Sequence, residues 1–262
     1  MKKEECKQVI RKAGKALLKS RDLTIEEKTD FKNLVTDYDK RTQSFLIENL
    51  GALIPQAGFY CEENNVKDTS ERYTFIIDPI DGTSNFIHHY NVSAISVALA
   101  QGSTLLWGIV YNPFTDELYE AEKGKGAFLN GRPIHVNNYD IAHSLVGFGT
   151  SPYYEGLQPL TFTLAAEVLQ NCIDIRRSGS AALDLCYTAR GSYGLFFELE
   201  QQAWDFAAAF CILQEAGGRL INFHGETPDF TKKSSIIAGN AANVDMFYND
   251  FVKKHSLPEA LA

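Results

Sequence analysis

The amino-acid sequence predicts a mixed α+β/α/β fold, on three observations. Two amphipathic helical patterns lead the chain, short apolar β-type runs follow, and beyond residue 140 strand and helix patterns alternate. A meander behind leading helices is an α+β order, whereas strand–helix alternation is an α/β order. The chain therefore divides into an N-terminal half, residues 1–140, and a C-terminal half, residues 141–262, which share one body without a repeat or long linker.

Each element follows from local pattern. Cys6, Val9, Ile10, Ala13, Ala16 and Leu17 recur at helical spacing among Lys, Arg and Glu, so the first helix is amphipathic. A second helix is expected over 38–50, with Phe45, Leu46, Asn49 and Leu50 on one face and Pro55 closing the region. Residues 58–61 form a short strand, and the unbroken apolar run 73–77 suits a strand buried on both faces. Segments 92–100 and 105–111 alternate around Gln101-Gly102 as a hairpin, and 117–121 and 127–129 continue the meander to the Asn130-Gly131 turn. In the second half, helices are expected over 157–169, 180–189 and 204–216, the last ended by Gly217-Gly218. Strands are expected at 173–176, 195–197 and, last of all, 235–238.

Composition narrows the class. With 45% hydrophobic and 22% charged residues in 262, the chain is neither disordered, collagenous nor coiled coil. Its 25 Lys+Arg against 33 Asp+Glu leave a formal charge of −8, which argues against a nucleic-acid binder that must displace counterions. An anionic substrate stays open if another cation is supplied. The five cysteines, Cys6, Cys61, Cys172, Cys186 and Cys211, are scattered and suit reduced thiols better than disulfides or a zinc site. No secretion signal or membrane-length apolar run is visible, so a soluble, cytoplasmic protein is expected.

The chemistry concentrates in Asp78-Pro79-Ile80-Asp81-Gly82-Thr83, where an apolar strand runs into two acids three positions apart, a glycine and a hydroxyl. Two carboxylates about 4 Å apart repel by roughly 4 kcal/mol at an effective dielectric near 20, so a cation belongs between them. A plain solvated turn is the alternative, since Asp, Pro and Gly are also turn residues. Glu62-Glu63 after a short strand and Asp205 at a helix start repeat the setting; singly they read as a loop pair and an N-cap. Together, without His or Cys partners, they favour a hard cation such as Mg²⁺. His88-His89 lacks ligand spacing, Arg176-Arg177 reads as a strand end, and 123–126 is a turn too short to cradle phosphate.

The stretch from Asp78 to Phe86 resembles the first signature of the inositol monophosphatase family. Trp204-Asp205-Phe206-Ala207-Ala208, continuing to Glu215-Ala216-Gly217-Gly218, resembles the second, and Leu34-Val35-Thr36, Asp39 and Glu62-Glu63 fit in order. The resemblance implies a layered αβαβα sandwich and a homodimeric, lithium-sensitive phosphatase using two or three Mg²⁺, with Mn²⁺ as a substitute. It implies metal ligation by Glu62, Asp78, the carbonyl of Ile80, Asp81 and Asp205, with most ligands in the N-terminal half. Thr83 linked to Asp39 would activate the attacking water, Glu62 and Lys28 would assist, and Lys28 would sit near a loop over the metals. Substrate oxygens would meet Asp81, the amides of Gly82 and Thr83, and Gly179, Ser180 and Ala181 at a helix start; Glu198 and Asp205 would face substrate hydroxyls. Cys61, Ser84, Ser180 and Asn33 depart from the usual pattern, and none removes a ligand.

The implied activity is hydrolysis of inositol monophosphate, a small-molecule phosphate ester, with no membrane partner. Fructose 1,6-bisphosphate, the 2′-phosphate of NADP and 3′-phosphoadenosine nucleotides share the same metal motif. A non-catalytic relative that binds RNA or a protein is the rival of a different class.

Overall fold

The computed structural model describes all residues except 1, 21, 64–66, 69–71, 259, 260 and 262. Its elements are α1 (Lys3–Leu17), β1 (Ile25–Glu27), β2 (Leu34–Thr36), α2 (Asp37–Leu53), β3 (Ala57–Cys61), β4 (Lys67–Asp68), β5 (Tyr73–Asp81), α3 (Thr83–Ile87), β6 (Ala94–Gln101), β7 (Thr104–Asn112), β8 (Glu117–Glu122), β9 (Ala127–Leu129) and β10 (Arg132–Ile134). They continue as β11 (Leu145–Phe148), α4 (Gln158–Leu169), β12 (Asp174–Arg176), α5 (Ala181–Ala189), β13 (Leu195–Gln201), α6 (Ala203–Glu215), β14 (Arg219–Ile221), β15 (Ser234–Gly239) and α7 (Ala241–Asp250).

Alternation along β5 sorts the layers. Phe75 and Ile77 join Cys6, Ile10 and Leu17 of α1 and Leu46 and Leu50 of α2 in one core. Ile76, between them, faces the opposite core, built with Leu183 and Leu185 of α5 and Phe206, Phe210 and Leu213 of α6. Phe196 and Ile236 carry that second core to the next sheet, whose far face packs Phe197 and Leu199 against Leu164 and Val168 of α4 and Phe247 of α7. The order is α1–α2, sheet, α5–α6, sheet, α4–α7, an αβαβα stack in which each apolar face is covered.

The first sheet runs β10-β9-β8-β7-β6-β5-β3-β4, antiparallel except for the parallel β3–β5 pair. The second runs β12-β11-β13-β15-β14, with β12, β11 and β13 parallel. Free cysteines at all five positions agree with the thiol reading. No described helix is long and apolar enough to cross a membrane.

The sequence reading needs correction in several places. The acids at 78 and 81 do not sit in a turn: β5 runs on to Asp81, and its pairing with β6 slips between Asp78↔Ser96 and Asp81↔Ala94. Three residue steps on β5 oppose two on β6, which is a β-bulge. Pro79, which cannot donate to a ladder, is tolerated in an interior strand because it falls there. Asp205 is not the N-cap of α6; Gln202 is, and Asp205 is the third helical residue of a capping box. The strand expected at 235–238 is indeed the last one, β15, and behind it Asn240 caps a helix that the reading did not anticipate, α7, whose Val244 and Phe247 are buried. The short strands β1, β2, β10, β11 and β14 were not anticipated either; three or four residues carry too little periodicity to read.

Helix α6 approaches the first sheet through Gly108 on β7. A Cβ at Gly108 would lie 2.2 Å from the carbonyl oxygen of Ala208, so only glycine admits the helix backbone at this distance. Gly108→Ala should destabilise the protein by about 1–3 kcal/mol, the usual cost of overpacking, read as a lowered urea midpoint; an unchanged midpoint would show that the helix can be displaced freely.

Candidate active site

Four structural devices deliver the acidic residues to one cavity of about 920 Å³. The bulge in β5 presents Asp78, Ile80 and Asp81; Gly82, at φ +85°, then turns the chain into α3, which begins with Thr83. A Cβ at Gly82 would be strained by that φ and would meet the carbonyl oxygen of Val92 at 3.0 Å. Glu62 and Glu63 follow the end of β3, and Asp205 lies in the first turn of α6. Gly179 and the N-cap Ser180 open α5, while Glu198 projects from β13. Lys28, Glu62, Asp78, Ile80, Asp81, Gly82, Thr83, Gly179, Ser180, Ala181, Glu198 and Asp205 all line this cavity.

Asp39 stands behind the lining and is fully buried. It completes the capping box of α2: its Oδ2 accepts from the Thr36 amide at 2.7 Å and from Thr36 Oγ1 at 2.5 Å. Its other oxygen, Oδ1, accepts from Thr83 Oγ1 at 3.1 Å, and the Ile80 carbonyl lies 3.1 Å from the same hydroxyl. One helix cap therefore fixes the acid that touches Thr83.

Each of the remaining acids has hydrogen-bond donors of its own. Lys28 Nζ donates to Glu62 at 2.8 Å and to Glu63 at 2.7 Å, and the 28–33 loop that carries it is closed by the Lys28 amide on the Asn33 carbonyl at 2.8 Å. Asp78 Oδ1 accepts the Ile80 amide at 2.9 Å. Asp205 Oδ2 accepts the Gln202 amide at 2.8 Å. Asp81 Oδ2 accepts the Ser180 hydroxyl and, at 2.9 Å, the Ala182 amide. The helix-start donors expected to be open to a phosphate are thus partly taken by Asp81. Cys61, the departure beside Glu62, is fully buried, and burial pushes its thiol up to about 12. Of the two histidines set aside, His88 reaches the cavity lining.

Burial and mutual repulsion dominate the electrostatics. Asp78 is held well above the usual carboxylate range by burial and then by Glu62, Asp81 and Asp205. Asp205 is raised likewise by burial, Asp81 and Glu62. Burial carries Asp81 up to about 7 against the Ser180 and Ala182 hydrogen bonds. Asp39 is pushed to about 7 by burial, opposed by Thr36. These acids sense one another across a shared volume, yet among the described residues no three Asp, Glu, His or Cys side chains are gathered tightly enough to hold an ion as they stand. Approach without one shared coordination sphere is what like charges give when cations such as Lys28 neutralise only part of the cluster. The donor set is all oxygen, carboxylates with the nearby Ile80 carbonyl, and suits a hard divalent cation drawing the acids inward.

Arg177, set aside as a strand end, also lines the cavity, as do Ser151, Tyr153, Asp184 and Gln201, which the sequence reading passed over. For Asp184 a signal existed, a lone acid inside the otherwise apolar Ala181–Ala189 helix. The others carried none, because their segments read as ordinary loop or strand end.

Comparison with known proteins agrees with this architecture. The model of the inositol monophosphatase family matches residues 2–256. An inositol-1-monophosphatase of Rhizobium meliloti is 35% identical over 89% of this chain and 89% of the relative. A putative Nus factor SuhB of Neisseria meningitidis is 34% identical over 88% of this chain and 90% of the relative. A solved staphylococcal IMPase-II bound to inositol monophosphate superposes with a TM-score of 0.80 at 28% identity, covering 95% of this chain and 92% of that one. The chain belongs to the inositol monophosphatase family.

The raised acids make the stability of the metal-free protein depend on pH. Asp81 and Asp39 bind protons more tightly folded, at about 7, than unfolded, near 3.8. Their contribution is complete below about pH 4 and is lost as the pH rises through about 7. Tm without metal should therefore fall between about pH 5 and pH 8, and Mg²⁺ should raise it more at the higher pH. A flat profile with no response to Mg²⁺ would count against convergence on a cation.

Proposed function

We propose that this member of the inositol monophosphatase family is a Mg²⁺-dependent phosphomonoesterase that hydrolyses inositol monophosphate. The observation that carries the reading is the Asp39–Thr83 pair set beside the converging carboxylates of Glu62, Asp78, Asp81 and Asp205. Two or three Mg²⁺ ions, or Mn²⁺, held by those carboxylates and the Ile80 carbonyl, would supply Lewis acidity toward the phosphate and ease ionisation of water near neutral pH.

The protein's own groups account for the proton and for orientation. The Thr83 hydroxyl donates to Asp39 Oδ1, which leaves a lone pair of Oγ1 free to accept a proton from water. As the water oxygen forms its bond to phosphorus and the P–O bond to the leaving group breaks, Oγ1 takes the water proton and passes its own to Asp39. An unassisted hydroxyl is no base near pH 7, whereas a carboxylate hydrogen-bonded to it can take its proton. Lys28 neutralises Glu62 and Glu63, and Glu198 is placed to accept from substrate hydroxyls.

The Rhizobium relative's name and the inositol monophosphate in the staphylococcal structure support the substrate. Fructose 1,6-bisphosphate, NADP and 3′-phosphoadenosine nucleotides are the alternatives for the same carboxylate set. A second reading, a partner-binding role involving RNA or protein, rests on the relative named a putative Nus factor; undetectable phosphatase activity with salt-sensitive RNA retention would favour it. A cytoplasmic homodimer inhibited by lithium completes the proposal.

Asp81→Asn and Thr83→Ala should each lower kcat for inositol monophosphate by about 10²-fold or more, as loss of acid–base or metal-holding groups does. Asp81→Asn should keep the metal-free Tm, because it removes a buried negative charge. Phosphate release across the four substrate types is the measurement, and Mg²⁺-dependent turnover surviving in Asp81→Asn would refute the assignment.

A further inference from the structure

Of the carboxylates that face the cavity, Glu62 is the one its own element does not fix. Asp78 and Asp81 belong to strand β5 and Asp205 to helix α6, whereas β3 ends at Cys61 and leaves Glu62 and Glu63 beyond it. The Glu62 amide still donates to the Ile77 carbonyl at 3.2 Å, which carries the β3–β5 ladder one bond further. Glu63 lies past the register of β3 with both of its neighbours.

A side chain meets the Glu63 backbone there. Gln43 Nε2 donates to the Glu63 carbonyl at 2.9 Å, and the Glu63 amide donates to Gln43 Oε1 at 2.9 Å. A carboxamide offers donor and acceptor as a peptide group does, so Gln43 takes the place of a strand neighbour. Gln43 is 5% exposed and Glu63 3%, so losing this pair would leave buried groups unsatisfied rather than hand them to water. Gln43 also follows Asp39 by four residues, which puts both side chains on one face of α2. Asp39 reaches the Thr83 hydroxyl and Gln43 reaches the Glu63 backbone, so one helix sets both relative to each other. Lys28 does not supply that reference, because it bonds the Glu62 and Glu63 side chains from a separate loop.

We infer that Gln43 is a positioning residue: it clamps the Glu63 peptide groups and so holds the Glu62 carboxylate where it can share a divalent cation with Asp78. The inference rests on the metal-dependent phosphomonoesterase reading above and adds to it a side chain that stands behind the cavity lining. Groups that orient a metal ligand without touching the metal are typically worth about 10–100-fold in affinity or activity.

The test is Mn²⁺ binding to the whole protein, measured by calorimetry without substrate, beside the Mg²⁺ dependence of inositol monophosphate hydrolysis. Gln43→Met removes both hydrogen bonds at nearly constant volume and should weaken Mn²⁺ binding about tenfold. The Mg²⁺ concentration for half the maximal rate should rise by the same factor, more than the maximal rate falls. Gln43→Glu keeps the acceptor and, protonated among buried carboxylates, the donor as well, so it should recover most of the affinity. Val244→Ala, a cavity in the α4–α7 core, should lower Tm and leave Mn²⁺ affinity unchanged. Should Gln43→Met fail to fold, Gln43→Ala, which admits water to the Glu63 peptide groups, carries the same expectation. Unchanged Mn²⁺ affinity in a folded Gln43→Met or Gln43→Ala protein would overturn the inference, and so would an equal loss in Val244→Ala. A wild type that binds neither Mn²⁺ nor Mg²⁺ would instead sink the metal-dependent reading itself.

Discussion

The structure is organised around one electrostatic conflict: several buried carboxylates face the same cavity, and their charges repel. Left in contact, such charges would cost several kcal/mol per pair. The fold eases the conflict by giving most of these acids a donor of their own. Lys28 takes Glu62 and Glu63, the α5 start takes Asp81, the α6 capping box takes Asp205, and Thr36 takes Asp39. What remains is a set of oxygens aimed at a common volume and raised in proton affinity, a state that a divalent cation relieves.

Secondary structure and chemistry are joined at the same atoms. The Asp39 carboxylate is at once part of the α2 capping box and the partner of Thr83, so the helix terminus that stabilises the fold also orients the Thr83 hydroxyl. Asp205 does the same for α6, and Asp81 caps α5 from the far side of the cavity. The β5 bulge aims Asp78 and Asp81, and Gly108 lets α6 settle against the sheet that carries them. Active-site geometry and packing are consequently hard to vary separately.

The cavity lining also carries a cost. Among the described residues, Asp184 and Gln201 each leave a buried acceptor unpaired, a liability in a folded protein.

Much of this was legible in the sequence, and the limits are instructive. The apolar run into Asp78, the helical faces of Cys6–Leu17 and Trp204–Ala216, and the order of the two signatures are local patterns, which encode backbone conformation and burial directly. The bulge was not legible, because a Pro-containing acid pair reads as a turn until the neighbouring strand is known. Nor was the pairing of Asp81 with Ser180, 99 residues away, or the single unpaired oxygens of Asp184 and Gln201. By itself the sequence determined which residue types are present and which segments bury them. Only the tertiary structure decided which oxygens share a cavity and which lack partners, because hydrogen-bond satisfaction depends on long-range packing that no short window of residues contains.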